Sequence, residues 1–179
     1  MVRKTKQDWL EAGLTLLGST GSPDLTIDQL TEYLGVTKGS FYHHFKNYQE
    51  YAAQLLTFWE EYYTAEVIRL AETTQEPLAI IDNLIKSLLT RTSDPEAAIR
   101  AWALQDDTVR TYVAKIDQRR TLYLQQLFQA ITGDDEQACL MSNMLSTMLI
   151  GCYSISPQLS NHEVEQLYAE FKRLYQIND

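Results

Sequence analysis

The stretch TIDQLTEYLGVTKGSFYHHFKN, residues 26–47, constrains the fold more than any other part of the chain. Thr26 with Gln29 three residues later forms a capping box, and Ile27, Leu30 and Leu34 follow at helical spacing. Gly35 suits the C-cap that ends this short helix. Only Val36 separates that stop from Thr37, which can cap a second short helix, TKGSFYHHF. Asn47 with Glu50 then opens a long helix reaching about Thr73. Two short helices joined by GVT, the second rich in donors, make the pattern of a helix-turn-helix.

In that motif the second helix enters the DNA major groove while the first crosses the backbone. The side chains divide accordingly. Phe41 and Phe45, four residues apart, can lock the second helix onto Leu30, Leu34 and Trp9, leaving Lys38, Gly39, Tyr42, His43 and Lys46 on the other faces. Gly39 also allows the backbone to approach a phosphate closely. The bland alternative places all three aromatics at 41, 42 and 45 in the core, with Lys38 and Lys46 merely solvated. His43 and His44 are adjacent, so on a helix they point about 100° apart, and no acidic or Cys partner lies near them; a metal site is not expected.

The remaining chain also reads as helical. A first helix spans about Thr5–Leu17, with Trp9, Leu10, Ala12, Leu16 and Leu17 as its apolar stripe, and GSTGSP stops it. Pro77, Pro95 and Pro157 sit at expected helix starts or breaks, and Asp94 is a suitable N-cap. Helices follow over about 107–131, closed by Gly133, over 135–154, and over 162–176. With no alternating strand pattern and no repeat, the expected fold is all-α.

Charge is unevenly placed in this 179-residue chain of net charge -9. The first fifty residues hold five Lys/Arg against six Asp/Glu, and the rest hold ten against eighteen. Most nucleic-acid binders are more basic, but phosphate contacts act through charges within a Debye length, about 10 Å. Here Arg3, Lys4 and Lys6 form one basic cluster, and Lys38 and Lys46 another. No apolar run approaches the roughly 18 residues that span a bilayer, and MVRKTKQDWLEAGL lacks the apolar block of a signal peptide. A cytoplasmic protein without membrane contact is expected. Cys139 and Cys152 show neither metal spacing nor a disulfide framework.

Residues 26–47 closely resemble the DNA-binding signature of the tetracycline-repressor (TetR) family of bacterial regulators: LGV, an aromatic F-Y-H-H-F block and K-N stand in the family's order. The resemblance covers about the first third of the chain. It implies an N-terminal three-helix helix-turn-helix domain, residues 1–47, and a larger helical ligand-binding and dimerisation domain, residues 48–179. Carried over by position, it implies that Thr26 contacts phosphate, and that Thr37, Lys38, Gly39 and Ser40 face base edges or nearby backbone. Tyr42 would touch phosphate and thymine methyls, His43 a base or phosphate, and His44 and Lys46 the backbone. The chain departs from the family at Tyr48, where a phosphate-gripping Lys is common.

For the larger domain the resemblance implies a homodimer, in which helices 135–154 and 162–176 pair with those of a second subunit. Met141, Met144, Met148, Cys152, Leu167 and Phe171 are the candidate interface residues, with packing inside one subunit as the competing explanation. A small-molecule effector is implied, with candidate pocket residues Trp59, Tyr63, Trp102, Tyr112 and Phe128. The long helix from Asn47 is the expected lever between effector and DNA. No cofactor is expected. An enzyme is not expected either: the chain has no Gly-rich phosphate loop and no nucleophile elbow, and two of its three histidines lie in the motif. The reading is a ligand-responsive transcriptional regulator, a repressor released from a palindromic operator by its effector. A helical module binding a protein partner is the alternative.

Overall fold

The computed structural model describes residues 4–20, 24–90, 95–154 and 159–175, and these are helices and short connections with no strand among them. The helices are α1 (Lys6–Thr20), α2 (Ile27–Leu34), α3 (Lys38–His44), α4 (Tyr48–Glu60), α5 (Glu66–Ala71), α6 (Pro77–Leu89), α7 (Glu96–Ala103), α8 (Asp107–Thr132), α9 (Asp135–Ser154) and α10 (Asn161–Leu174). The all-α expectation holds. Arg3, Asp94, Pro157 and the end of GSTGSP lie outside the described residues.

Most boundaries follow from local chemistry. Thr26 and Gln29 form the reciprocal capping box that opens α2: the Gln29 backbone N–H donates to the Thr26 hydroxyl, and Gln29 Oε1 accepts from the Thr26 backbone N–H at 2.8 Å. Gly35 closes α2 at φ 65°, and Gly133 follows α8 at φ 68°, both in the left-handed region that glycine enters without strain. Asn47 caps α4, its side-chain oxygen accepting from the Glu50 backbone N–H at 2.8 Å. Thr37 is the N-cap of α3 by position only, because its side chain makes no capping bond; its carbonyl accepts from the Ser40 N–H instead. The first helix runs to Thr20, beyond the expected stop at Leu17. Its last turn is supported by the Ser19 and Thr20 hydroxyls, which donate back to the Leu16 carbonyl.

The expected long helix from Asn47 is interrupted. Between α4 and α5 lies a π-helical turn, Glu61–Ala65, where the Glu66 N–H reaches the Glu61 carbonyl five residues back. Thr64 is buried in it. Such single-turn expansions insert one residue into an otherwise regular helix, and nothing in EYYTA announces one.

By packing, the chain divides into two compact units: Met1–Glu66 with Thr92–Ile116, and Val67–Arg91 with Asp117–Asp179. The division falls within two helical stretches, so it differs from a cut at residue 47. In the first unit α1 packs against α2, α4 and α7, and α2 against α3. Its core includes the fully buried Trp9, Leu17, Leu30, Phe41, Phe45, Tyr51, Leu55 and Trp59. Gly13 allows α4 to come close: the Tyr51 hydroxyl donates to the Trp9 carbonyl at 3.0 Å, and a Cβ on Gly13 would stand 2.1 Å from the Tyr51 hydroxyl oxygen.

The second unit is centred on Ile81, Phe128, Met141, Leu145 and Phe171. Polar ties fasten its helices at the rim. Asp82 of α6 accepts from the Tyr168 hydroxyl at 2.8 Å and from Lys172 at 3.2 Å, both on α10. Asn161 donates to the Leu89 carbonyl at 2.6 Å. Tyr123 of α8 donates to Glu72 at 2.7 Å, and burial together with this carboxylate holds its phenol well above the usual range.

Candidate nucleic-acid interface

Helix α3 is anchored by one side. Phe41 is fully buried, with its ring 5.4 Å from Trp9 in edge-on contact and 5.2 Å from Phe45. Both phenylalanines also pack on Tyr51 of α4. The helix ends at His44, and Phe45 turns into extended geometry at φ -135°, ψ 135°, which drops its ring back onto the core. With the apolar side committed, Thr37, Lys38, Gly39, Tyr42, His43 and Lys46 are exposed, and Ser40 and His44 are half-buried. Tyr42 keeps 55% of its surface in solvent although its ring also touches Phe41 edge-on. These residues and Thr26, which is exposed at the start of α2, therefore lie on or beside one short helix held rigidly from behind.

Several of the polar groups already have partners. The Thr26 hydroxyl serves the capping box, so the α2 N-terminus is built around it. Lys38 Nζ lies 2.6 Å from Asp28 Oδ1 across the turn, and the hydrogen bond it donates to Asp28, then the carboxylate's charge, raises the ammonium above its ordinary value. His44 Nε2 sits 2.9 Å from the Lys4 carbonyl, tying the end of α3 to the segment before α1. Lys6 stands over the Phe45 ring at 5.2 Å. The two N-terminal lysines and the end of α3, separate in sequence, are thus brought together. The Lys46 backbone N–H donates to Glu50, which fixes the entry to α4.

Tyr48 has a packing role. It is half-buried against Tyr51 and Trp102, at 6.1 and 6.4 Å between rings, and burial, with Asp106 adding its charge, pushes its phenol up to about 12. A lysine in its place would leave Trp102 less covered.

Residues 10–50 match the family model described as bacterial regulatory proteins, tetR family. The N-terminal segment is thus similar to that family. The match spans most of α1, the helix-turn-helix and the start of α4, and the fold carries the likeness through the rest of the chain. A TetR/AcrR-family member of known structure superposes with a TM-score of 0.76 at 16% identity, covering 93% of this chain and 97% of that one. A TetR transcription regulator from Haloarcula marismortui gives 0.75 at 19%, covering 93% and 95%. AibR, solved in complex with isovaleryl coenzyme A and operator DNA, gives 0.69 at 14%, covering 94% and 96%. At such identities the likeness is one of fold. No curated protein sequence matches the chain significantly.

The candidate pocket residues fall in separate places. Trp59 and Trp102 are buried in the core of the first unit, where Tyr63 and Tyr112 pack partly buried, whereas Phe128 lies in the core of the second beside Phe171. Of the candidate interface residues, Met141, Cys152 and Phe171 are buried within the second unit, Met148 is half-buried, and Met144 and Leu167 are exposed at 43% and 42%. Three exposed residues were missed from sequence. Leu140 and Leu174 present apolar surface on the helices carrying Met144 and Leu167, each at helical spacing from them (140/144 and 167/174). Asp28 was missed because its partner is ten residues away on another helix.

Among the described residues no group of three or more His, Cys, Asp or Glu side chains is placed to hold a metal ion, and no helix is long and apolar enough to cross a membrane.

Proposed function

We propose that this chain is a TetR-family regulator, a cytoplasmic homodimeric repressor that binds a palindromic operator through α3 and is released by a small-molecule effector. The observation carrying the DNA-binding part is the division of α3 and the two residues after it: Phe41 and Phe45 are buried, and Lys38, Tyr42, His43 and Lys46 are exposed. That arrangement provides cations and hydroxyls for phosphates and an N-terminal turn for base edges. Residues 1–47 form the reading head in this proposal, with residues 48–179 regulating and pairing it.

The exposed apolar residues Leu140, Met144, Leu167 and Leu174 support a pairing surface on α9 and α10. Pairing through them would present two α3 helices to half-sites one helical turn, about 34 Å, apart. The effector must favour the arrangement that does not bind DNA, since only differential affinity shifts such an equilibrium. Its chemical class is open: AibR, at 14% identity, shares the fold but does not carry its ligand over to this chain.

Selection of bound genomic fragments by the purified protein, at two salt concentrations, tests this reading. Enrichment of a short palindrome, weakening at the higher salt, is expected. Binding without any sequence enrichment at either salt would refute operator recognition and favour the partner-binding alternative.

A further inference from the structure

The Asp28–Lys38 pair lies on the surface that is proposed to face DNA. Lys38 opens α3, in the turn from which recognition helices reach base edges. Asp28 occupies the first turn of α2, and its carboxylate meets the ammonium at 2.6 Å. The two side chains remain 59% and 72% exposed, so the pair is solvent-screened and readily exchanged. An anion fixed beside a polyanion's binding surface has no role in attracting DNA. It repels phosphate directly, and it occupies the cation that would otherwise meet one.

We propose that Asp28 sets DNA specificity by holding Lys38 until a duplex offers an acceptor placed to replace the carboxylate. This rests on the DNA-binding reading of α3. On an arbitrary sequence the lysine has only phosphates to gain and largely stays with Asp28, so the protein releases fewer counterions. On the operator a base acceptor, such as guanine O6 or N7, rewards the exchange. Asp28 thereby suppresses non-specific binding more than specific binding, in a chain that still carries exposed Lys46 near the same helix.

The test measures affinity for a random-sequence duplex and for the duplex enriched by the wild-type protein, across salt, in wild type, Asp28→Asn, Lys38→Gln and the double variant. Asp28→Asn is expected to raise random-duplex affinity about two- to fivefold at low salt. It also steepens the slope of log K against log salt by about 0.9, one more phosphate neutralised. Affinity for the enriched duplex rises less, so the specificity ratio falls. With Lys38→Gln present, Asp28→Asn leaves the salt slope unchanged.

Equal gains from Asp28→Asn with and without Lys38 would overturn the proposal, because bulk charge alone would then explain them; so would no gain at all. If Asp28→Asn lowers thermal stability, Lys38→Gln alone decides. It should leave random-duplex affinity within about twofold while weakening the enriched duplex, and an equal loss on both overturns the proposal. Wild-type protein that binds neither duplex overturns the DNA-binding reading itself, a result distinct from these.

Discussion

Gly13→Ala should destabilise this protein, although the same change in most helices does the reverse. In an ordinary helix interior, glycine to alanine gains about 0.5–1 kcal/mol. Here the new Cβ would lie 2.1 Å from the Tyr51 hydroxyl oxygen and 3.0 Å from a Leu55 methyl, both in the packed core. Relieving that overlap moves α1 from α4 or drives Tyr51 off the Trp9 carbonyl that it meets at 3.0 Å. Overpacking of this kind costs about 1–3 kcal/mol, and a buried hydrogen bond broken with it about 1–3 kcal/mol more. After the helix gain, a net loss of roughly 1–5 kcal/mol remains, a fall of about 2–20 °C in Tm for a chain of this size.

Tyr51→Phe removes the oxygen and should itself destabilise by about 1 kcal/mol. With the oxygen gone the worst overlap is relieved and only the Leu55 methyls, at 3.0 and 3.2 Å, remain close, so the double variant should lose less than the two single losses combined, by about 1–2 kcal/mol. Thermal and urea unfolding of the four proteins measures this coupling. An unchanged or raised Tm in Gly13→Ala, or strict additivity in the cycle, would refute the close approach of α1 and α4 as described.

Three further outcomes follow from other elements. Gly35→Ala should cost about 1–2 kcal/mol in urea unfolding, since an added Cβ meets nothing within 4 Å and only the left-handed φ of 65° opposes it; Gly35→Asn should cost less. Ser160 hydrogen bonds hold the Glu163 carboxyl below its usual value. The stability linked to this shift is therefore present above the unfolded value of about 4.3 and is lost as pH falls through the lower folded value. Glu163→Gln should flatten the acid side of a Tm-against-pH curve, and a curve parallel to wild type would contradict the shift. Met144→Glu with Leu167→Glu places two charges on exposed apolar surface, so the protomer should stay folded while sedimentation equilibrium changes from dimer to monomer; an unchanged mass would remove α9 and α10 as the pairing surface.

The sequence signals that proved reliable are those whose cause lies within a few residues. Thr26/Gln29, Gly35 and Asn47/Glu50 specify the helix-turn-helix and the start of α4 through bonds spanning three or four positions, and the structure makes each of them. Phe41 could be assigned to the core from helical spacing, whereas Phe45, read from sequence as part of the same helix, reaches the core through the extended turn that ends α3. What stayed hidden depends on distant partners. Gly13 reads as a weak point in a helix until Tyr51, on α4, is seen to need its missing side chain. Tyr48 reads as the absence of a lysine until Trp102 is found against it. The methionines of α9 show the limit most plainly. Met141 is wholly buried and Met144 is 43% exposed, yet both fit an apolar stripe, and only the neighbours of α9 distinguish them. The π turn at Glu61–Ala65 had no sequence signal at all.

The salt dependence of binding to the enriched duplex, compared between wild type, Lys46→Gln and Tyr42→Ala, tests the central claim most directly. Both residues are exposed, so both variants should stay folded, Tyr42→Ala losing only the edge contact with Phe41. If α3 reads DNA, Lys46→Gln should weaken binding and lower the salt slope by about 0.9, and Tyr42→Ala should weaken binding with little change in slope. Wild-type affinity in both variants at every salt concentration would contradict the assignment of α3 as the DNA-reading helix.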